Sequence, residues 1–387
     1  MNPLAPQSRV LYQAALVLFL VTIVIGILNG LDVWDPSHEM LITHVHAGTL
    51  GWITMAVLGV VLAMFGTGAS ESELASGRNL ARYGLITIVL YVITFALGSG
   101  WYRPVAGTLL LIVLIWLLIW TVGRYRNSPR STGHLAICLA TISLVIGAIL
   151  GVLLGLFIAN GSIPGLSVET AQSLAGAHPP AMLIGYLILA GVAVAAWQLD
   201  GANNRLGRTA AWILFLSGVI ANVAFITNNE PLIQVFSALQ VIGSVVFLIA
   251  IWPKLRPAAG GSPFAKVAVL FLAIGIALLI YVVQLVVSGQ LDPEAGTGPI
   301  GVLTAFDHAM FIGVMTNALL AVISGLIAWG GADRLLLWAI NVSLAAFIVG
   351  LAVDSAILKR ISTPILGLAL IWAIAVAVPA LGRSRTA

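Results

Sequence analysis

The sequence predicts an all-α integral membrane protein, with twelve transmembrane helices in three pseudo-repeated four-helix units around a pseudo-threefold axis. Three observations predict it. Of 387 residues, 60% are hydrophobic and 8% charged, whereas a soluble domain carries about a quarter charged residues. Apolar stretches long enough to cross a bilayer follow one another along the whole chain. Histidine also recurs in the second, sixth and tenth of them, at His46, His178 and His308, spaced by 132 and 130 residues. A fixed period of this size is the mark of a repeated unit.

The stretches are 11–30, 41–66, 80–99 and 105–123 in the first unit, residues 1–130. The second unit, 131–260, carries 134–159, 176–198, 208–227 and 232–252; the third, 261–387, carries 265–288, 299–329, 335–357 and 362–382. No soluble segment interrupts them, so 1–387 reads as one membrane domain. The first stretch is long enough to span and no small-residue cleavage site follows it, so it reads as a span rather than a removed leader. Gly66–Arg82 and Pro253–Lys266 are rich in Gly, Ser, Ala or Pro and read as connectors. The loops near 159–175 and 287–298 read as short caps.

Charge orients the bundle. With the N-terminus inside, only Arg103, Lys359 and Arg360 of the 17 Lys and Arg residues fall on the outer side. The other fourteen, from Arg9 to Arg385, fall on the inner side, a strong positive-inside bias. Both termini are expected in the cytoplasm of a bacterium, with the chain multi-pass in the inner membrane and lipid around it. The basic pI near 9.5 therefore reflects topology and implies no nucleic acid. A single cysteine, Cys138, excludes an internal disulfide, a cysteine zinc site, an iron–sulfur cluster and a covalent CxxCH haem site.

Ionisable residues inside membrane helices are functional-site hypotheses by default. Thr43-His44-Val45-His46-Ala47-Gly48-Thr49-Leu50-Gly51-Trp52 holds two of them. Residues i and i+2 lie about 200° apart on a helix, so His44 and His46 face opposite sides. Aligning Gly51, Gly185 and Gly313 puts His44, His178 and Phe306 in one column and His46, Pro180 and His308 in the other. Around a threefold axis a facing pair takes one residue from each column, which gives His46 with His178 and His44 with His308. The bland alternative is polar residues at the membrane interface.

Neutral imidazole suits iron, copper and zinc. Apart from Asp307 no carboxylate stands beside these histidines, which favours haem over a structural zinc. One or two b-type haems are expected, with copper a second candidate. Ala47, Gly48, Gly51, Ala181, Gly185 and Gly313 would let a porphyrin approach the backbone, although close helix packing selects the same residues. Haem propionates need cations, and Arg103, Lys359 and Arg360 lie on the histidine side. Trp52 and Tyr186 could pack on a macrocycle edge or on a neighbouring helix. His38 reads as solvated, His134 as a helix-start residue, and Glu230 as an outer acid able to accept a proton. Asn341, Asp354, Gln240 and Gln284 read as isolated helix–helix contacts rather than a proton relay.

The stretch His44–Trp52 resembles the double-histidine motif of the haem–copper oxidase superfamily, specifically the catalytic subunit of cbb-type oxidases and nitric oxide reductases. There the first histidine ligates the active-site haem and the second the low-spin haem. The resemblance implies twelve helices in three arcs, haem held by His44, His46, His178 and His308, electron transfer or O2 or NO chemistry, and a quinone or protein electron donor. Two departures stand out. The family carries the motif on helix 10 rather than helix 2, and helix 7 here, Thr209–Thr227, lacks the histidine pair that helps to hold the family's copper or non-haem iron. A weaker resemblance, through Ser37-His38-Glu39-Met40 and His308-Ala309-Met310, is to the NnrS family, and implies a non-enzymatic role in nitric oxide response or haem or copper handling.

Overall fold

The computed structural model describes residues 2–292 and 296–383; Arg385, one of the cations expected on the inner side, lies outside the described residues. Among the described residues twelve helices are long and apolar enough to cross a membrane. They are α1 Ala5–Gly30, α2 His38–Phe65, α3 Glu71–Ala96, α4 Tyr102–Arg126, α5 Thr132–Asn160, α6 Val168–Gln198, α7 Arg205–Ile226, α8 Glu230–Leu255, α9 Pro263–Val287, α10 Gly301–Ser324, α11 Asp333–Ala352 and α12 Ala356–Arg383. Their outward faces carry exposed apolar side chains, such as Ile112 and Ile119 on α4 or Val342 on α11. Lipid covers such a surface in a spanning bundle.

Several helices begin well before their apolar stretch. Helices α2, α3, α5, α6, α7 and α8 each start on a Ser or Asn whose side chain accepts a hydrogen bond from the backbone N–H three residues on. That capping stabilises a polar first turn that hydropathy alone overlooks. The expected connector Gly66–Arg82 is accordingly helical from Glu71. Ser70 and Glu73 form a capping box, and buried Arg124 donates from Nη1 to Glu73 Oε2 at 3.0 Å. The same guanidinium donates to the Phe65 and Thr67 carbonyls, so it ties the end of α4 to the α2–α3 turn. The expected cap at 159–175 likewise becomes the first turns of α6 from Val168 onward.

Burial sorts the helices into a centre and a periphery. In the most apolar window, 83% of α2 and 78% each of α6 and α10 is buried, against 33–50% in the other nine. The helices that carry His44, His46, His178 and His308 are therefore the inner ones, and they meet one another. Trp52 Nε1 on α2 donates to Thr316 Oγ1 on α10 at 3.0 Å. Gly191 on α6 lies against Val314 and Met315 of α10. The Tyr186 phenol on α6 faces Thr54 on α2 without closing a hydrogen bond of normal geometry.

Each inner helix widens to π-helical spacing just after its histidine, at Ala47–Thr54, Ala181–Leu187 and Ala309–Thr316. Wide turns leave carbonyls less well paired, and Thr54 and Thr316 answer this by donating to the carbonyls five residues back, Thr49 and Phe311. Pro179 and Pro180 precede the widening in α6, but α2 and α10 widen without proline, so proline is not its common cause. Such bulges concentrate at functional sites. Below one of them Asn317 and Asn341 exchange amide hydrogen bonds of 2.8 and 3.1 Å between α10 and α11, a helix–helix contact as expected for Asn341.

Candidate functional site

Four histidines on the inner helices share one arrangement. Nδ1 of His44 bonds the Thr22 carbonyl on α1 and Nδ1 of His178 the Gly147 carbonyl on α5, each at 2.9 Å. Nδ1 of His46 and of His308 turns back along its own helix to the Ile42 and Thr304 carbonyls, each at 2.8 Å. A carbonyl oxygen can only accept, so Nδ1 carries the proton in all four rings and Nε2 keeps its lone pair. A metal-ligating histidine uses this tautomer, its other ring N–H donated to a carbonyl that fixes the ring's orientation.

The rings reach their helical neighbours across glycine. A Cβ on Gly26, one turn beyond Thr22, would lie 3.1 Å from His44 Cε1. A Cβ on Gly151, one turn beyond Gly147, would lie 2.8 Å from His178 Cε1. Two different helix pairs thus repeat one device: a carbonyl that orients the ring and a glycine that makes room for it.

The two pairs that the column alignment selects are brought together. His44 and His308 line one cleft of about 430 Å³, walled by Phe19, Thr22 and Gly26 of α1, Ile312 of α10, Phe347 of α11, and Thr363 and Gly367 of α12. Phe347 meets the His308 ring edge-on, with centroids 5.0 Å apart. His46 and His178 lie within electrostatic range of each other. Here Phe95 of α3 stacks flat on His46, centroids 3.7 Å apart and planes 14° off parallel. All four histidines are half-buried.

Arg103 belongs to the second pair. Its Cζ lies 4.7 Å from the centroid of Phe95, and its charge acts on His46. Arg103 is 8% exposed; Nη2 donates to the Gly98 carbonyl, while the buried Nε has no partner. A buried guanidinium N–H left unpaired is costly, and an anionic group arriving beside Phe95 would satisfy it. Lys359 and Arg360 sit in the first turn and a half of α12, ahead of the cleft-lining Thr363. Each is already paired at the surface, Lys359 with Asp354 at 3.0 Å and Arg360 with Asp32 at 2.9 Å.

Other sequence candidates stand apart. His134 is held at both nitrogens, by Ser131 Oγ at 2.7 Å and the Met64 carbonyl at 3.4 Å, with its ring edge-on to Phe65. It locks the start of α5 to the end of α2 and has no nitrogen to spare. His38 is exposed in the first turn of α2, and Glu230 is exposed in the first turn of α8. Trp52 stacks on Phe19, a cleft residue, at 4.9 Å. Among the described residues no three His, Cys, Asp or Glu side chains converge as a metal cluster.

The small residues after the histidines serve helix packing. Cβ atoms on Gly51 and Gly313 would meet Leu18 of α1 at 2.9 Å and Phe271 of α9 at 2.5 Å, and Gly185 faces Ser143 of α5. The glycines beneath the rings, Gly26 and Gly151, and the aromatic neighbours Phe95 and Phe347 escaped the reading of the sequence. Gly26 and Gly151 are 125 residues apart, short of the 134 that separates His44 from His178 and Gly51 from Gly185, so the repeat spacing does not single them out. Compared with known proteins, the chain matches no family model and no curated protein sequence.

Proposed function

We propose that this protein is a b-type haem protein of the inner membrane, a divergent relative of the haem–copper oxidase catalytic subunit, in which His44 with His308 and His46 with His178 would hold the haem. One observation carries the reading: four imidazoles on the inner helices, each with Nδ1–H spent on a carbonyl and Nε2 free, stand in two pairs. The residues fit the group on three further counts. Each pair offers two neutral imidazoles, the protein ligands that a b-type haem would take, and no third protein ligand is needed. The cleft at His44 and His308 has walls of Phe, Ile, Leu, Thr and Gly, suited to an apolar macrocycle. The orphaned Nε of Arg103 is a cation awaiting an acid, the role a propionate fills.

Matching contacts support three repeated units around a common axis. Gly26 faces His44, Gly151 faces His178, and Gly275 of α9 faces Phe306 and Met310, so the first helix of each unit offers a glycine to the same column of the second. Trp52 of α2 reaches Thr316 of α10 as Tyr186 of α6 reaches Thr54 of α2. These are the contacts that a rotation by one unit would generate. With the N-terminus inside, both histidine pairs lie in the outer half of the membrane.

Haem, when bound, supplies a one-electron iron centre. The chain's own part is to orient the rings through Thr22, Gly147, Ile42 and Thr304, to exclude water with Phe19, Phe95 and Phe347, and to hold propionates through Arg103, with Arg360 and Lys359 at the mouth of the other cleft. Two closed histidine pairs favour electron transfer, with a quinone or a protein as donor; an iron open at one side would take O2 or NO. The alternative is a non-enzymatic role, NnrS-like, in nitric oxide response or haem or copper handling, which the same histidine pairs would also serve.

Carbon monoxide added to the dithionite-reduced protein tests the choice. Closed pairs predict reduced b-type bands that CO leaves unshifted and no consumption of NO or O2 from a reduced donor. A CO-shifted Soret band together with steady turnover would instead establish gas chemistry at an open iron.

A further inference from the structure

The same rotation that relates the two histidine pairs defines a third junction, between α6 and α10, where Pro180 and Phe306 stand in place of histidines. A smaller cavity of about 180 Å³ lies at this junction, lined by Gln240 and Ser244 of α8, Leu272 and Gly275 of α9, and Phe306 and Met310 of α10. Its shape excludes haem: Met310 and Phe306 fill the space against Gly275 that a histidine ring takes at Gly26 and Gly151. Its chemistry differs too, because no charged side chain and no histidine lines it.

Its polar groups are unusual. Gln240 and Ser244 are each 1% exposed, and neither the carboxamide oxygen and nitrogen of Gln240 nor Oγ of Ser244 has a hydrogen-bond partner. They are four residues apart, so they share one face of α8. Buried amides and hydroxyls without partners are strongly disfavoured, and this pair lines a cavity that can take a partner.

From this we infer that the third junction is a buried water site, with Gln240 and Ser244 as its hydrogen-bonding walls. A water needs two to four polar partners and roughly 10–15 Å³ of probe space. Here one carbonyl acceptor, one amide donor and one hydroxyl line the same cavity, and no charged side chain lines it to balance an ion. The remaining wall is apolar. The assignment of this place as the third of three equivalent junctions rests on the repeat reading above; the water site itself rests on the two orphaned side chains.

Millisecond X-ray radiolysis of the full-length protein in detergent, read by mass spectrometry, tests this. Radicals formed from a bound water oxidise the nearest side chains, and Met310 is 2% exposed while Met55 and Met315 are 0% exposed, so the three start from the same shielding. Met310 is expected to gain oxygen several-fold faster than Met55 and Met315. In Q240L/S244A that excess is expected to vanish while the haem spectrum is unchanged. Equal rates for the three methionines in the unaltered protein would overturn the proposal, as would an excess at Met310 that survives the double substitution. Haem content is read separately on the same samples, so a haem-free protein with fast Met310 oxidation would sink the haem reading and leave the water site standing.

Discussion

Replacing His44 and His46 together with alanine is expected to abolish the haem spectrum of the purified protein, taking haem from two per chain to none. Each single substitution should remove one haem and leave the other. The expectation follows from α2 supplying a histidine to each proposed pair: His44 shares a cleft with His308, and His46 lies within electrostatic range of His178. The fold should survive, because each ring contributes one hydrogen bond to the apoprotein, worth about 1 kcal/mol net. His134→Ala is the control. Its nitrogens are engaged by Ser131 and Met64, so haem content should stay at two while stability falls. Loss of both haems in either single variant would show that the two clefts are not separate sites.

Gly26 and Gly151 allow the same separation without touching a ligand. Leucine at Gly151 would put its Cβ 2.8 Å from His178 Cε1 and send further carbons into the ring's own space. Gly151→Leu is therefore expected to cost one haem, that of the His46/His178 pair, and Gly26→Leu the other. Overpacking of this kind costs about 1–3 kcal/mol, within what a bundle this size tolerates. Gly123 on α4 has open space where its Cβ would be, so Gly123→Leu should leave both haems in place. Absorption spectra and haem-to-protein ratios of the three variants check the prediction. Full haem in Gly151→Leu would mean that His178 is not held where the ligand is needed.

Much of this was legible in the residues, and the limits have physical reasons. Span number follows from apolar length, because a bilayer admits few alternatives to a continuous helix. The histidine pairs emerge from two numbers, the 200° offset between i and i+2 and the repeat period, and His44 with His308 does line one cleft. Helix starts at Glu71 and Val168 were not legible from hydropathy, since their stability comes from Ser70 and Ser167 caps and from Arg124 reaching back to Glu73. The π-helical widening left no trace, because Ala47–Thr54 has the composition of any apolar helix. The small residues after the histidines were readable as either haem-facing or packing residues. Only three-dimensional contacts separate Gly51, against Leu18, from Gly151, against His178. The cations divided likewise: Arg103 is buried beside the histidines, whereas Arg360 lies exposed and paired with Asp32.

The central claim is that the two histidine pairs hold haem. The most direct measurement is the pyridine haemochrome of the detergent-purified, full-length protein, expressed with haem supplied, set against protein concentration from amino-acid analysis. The account predicts b-type haem at close to two per chain, with reduced-minus-oxidised bands characteristic of bis-histidine iron. Protein that is folded and monodisperse yet free of haem would contradict it.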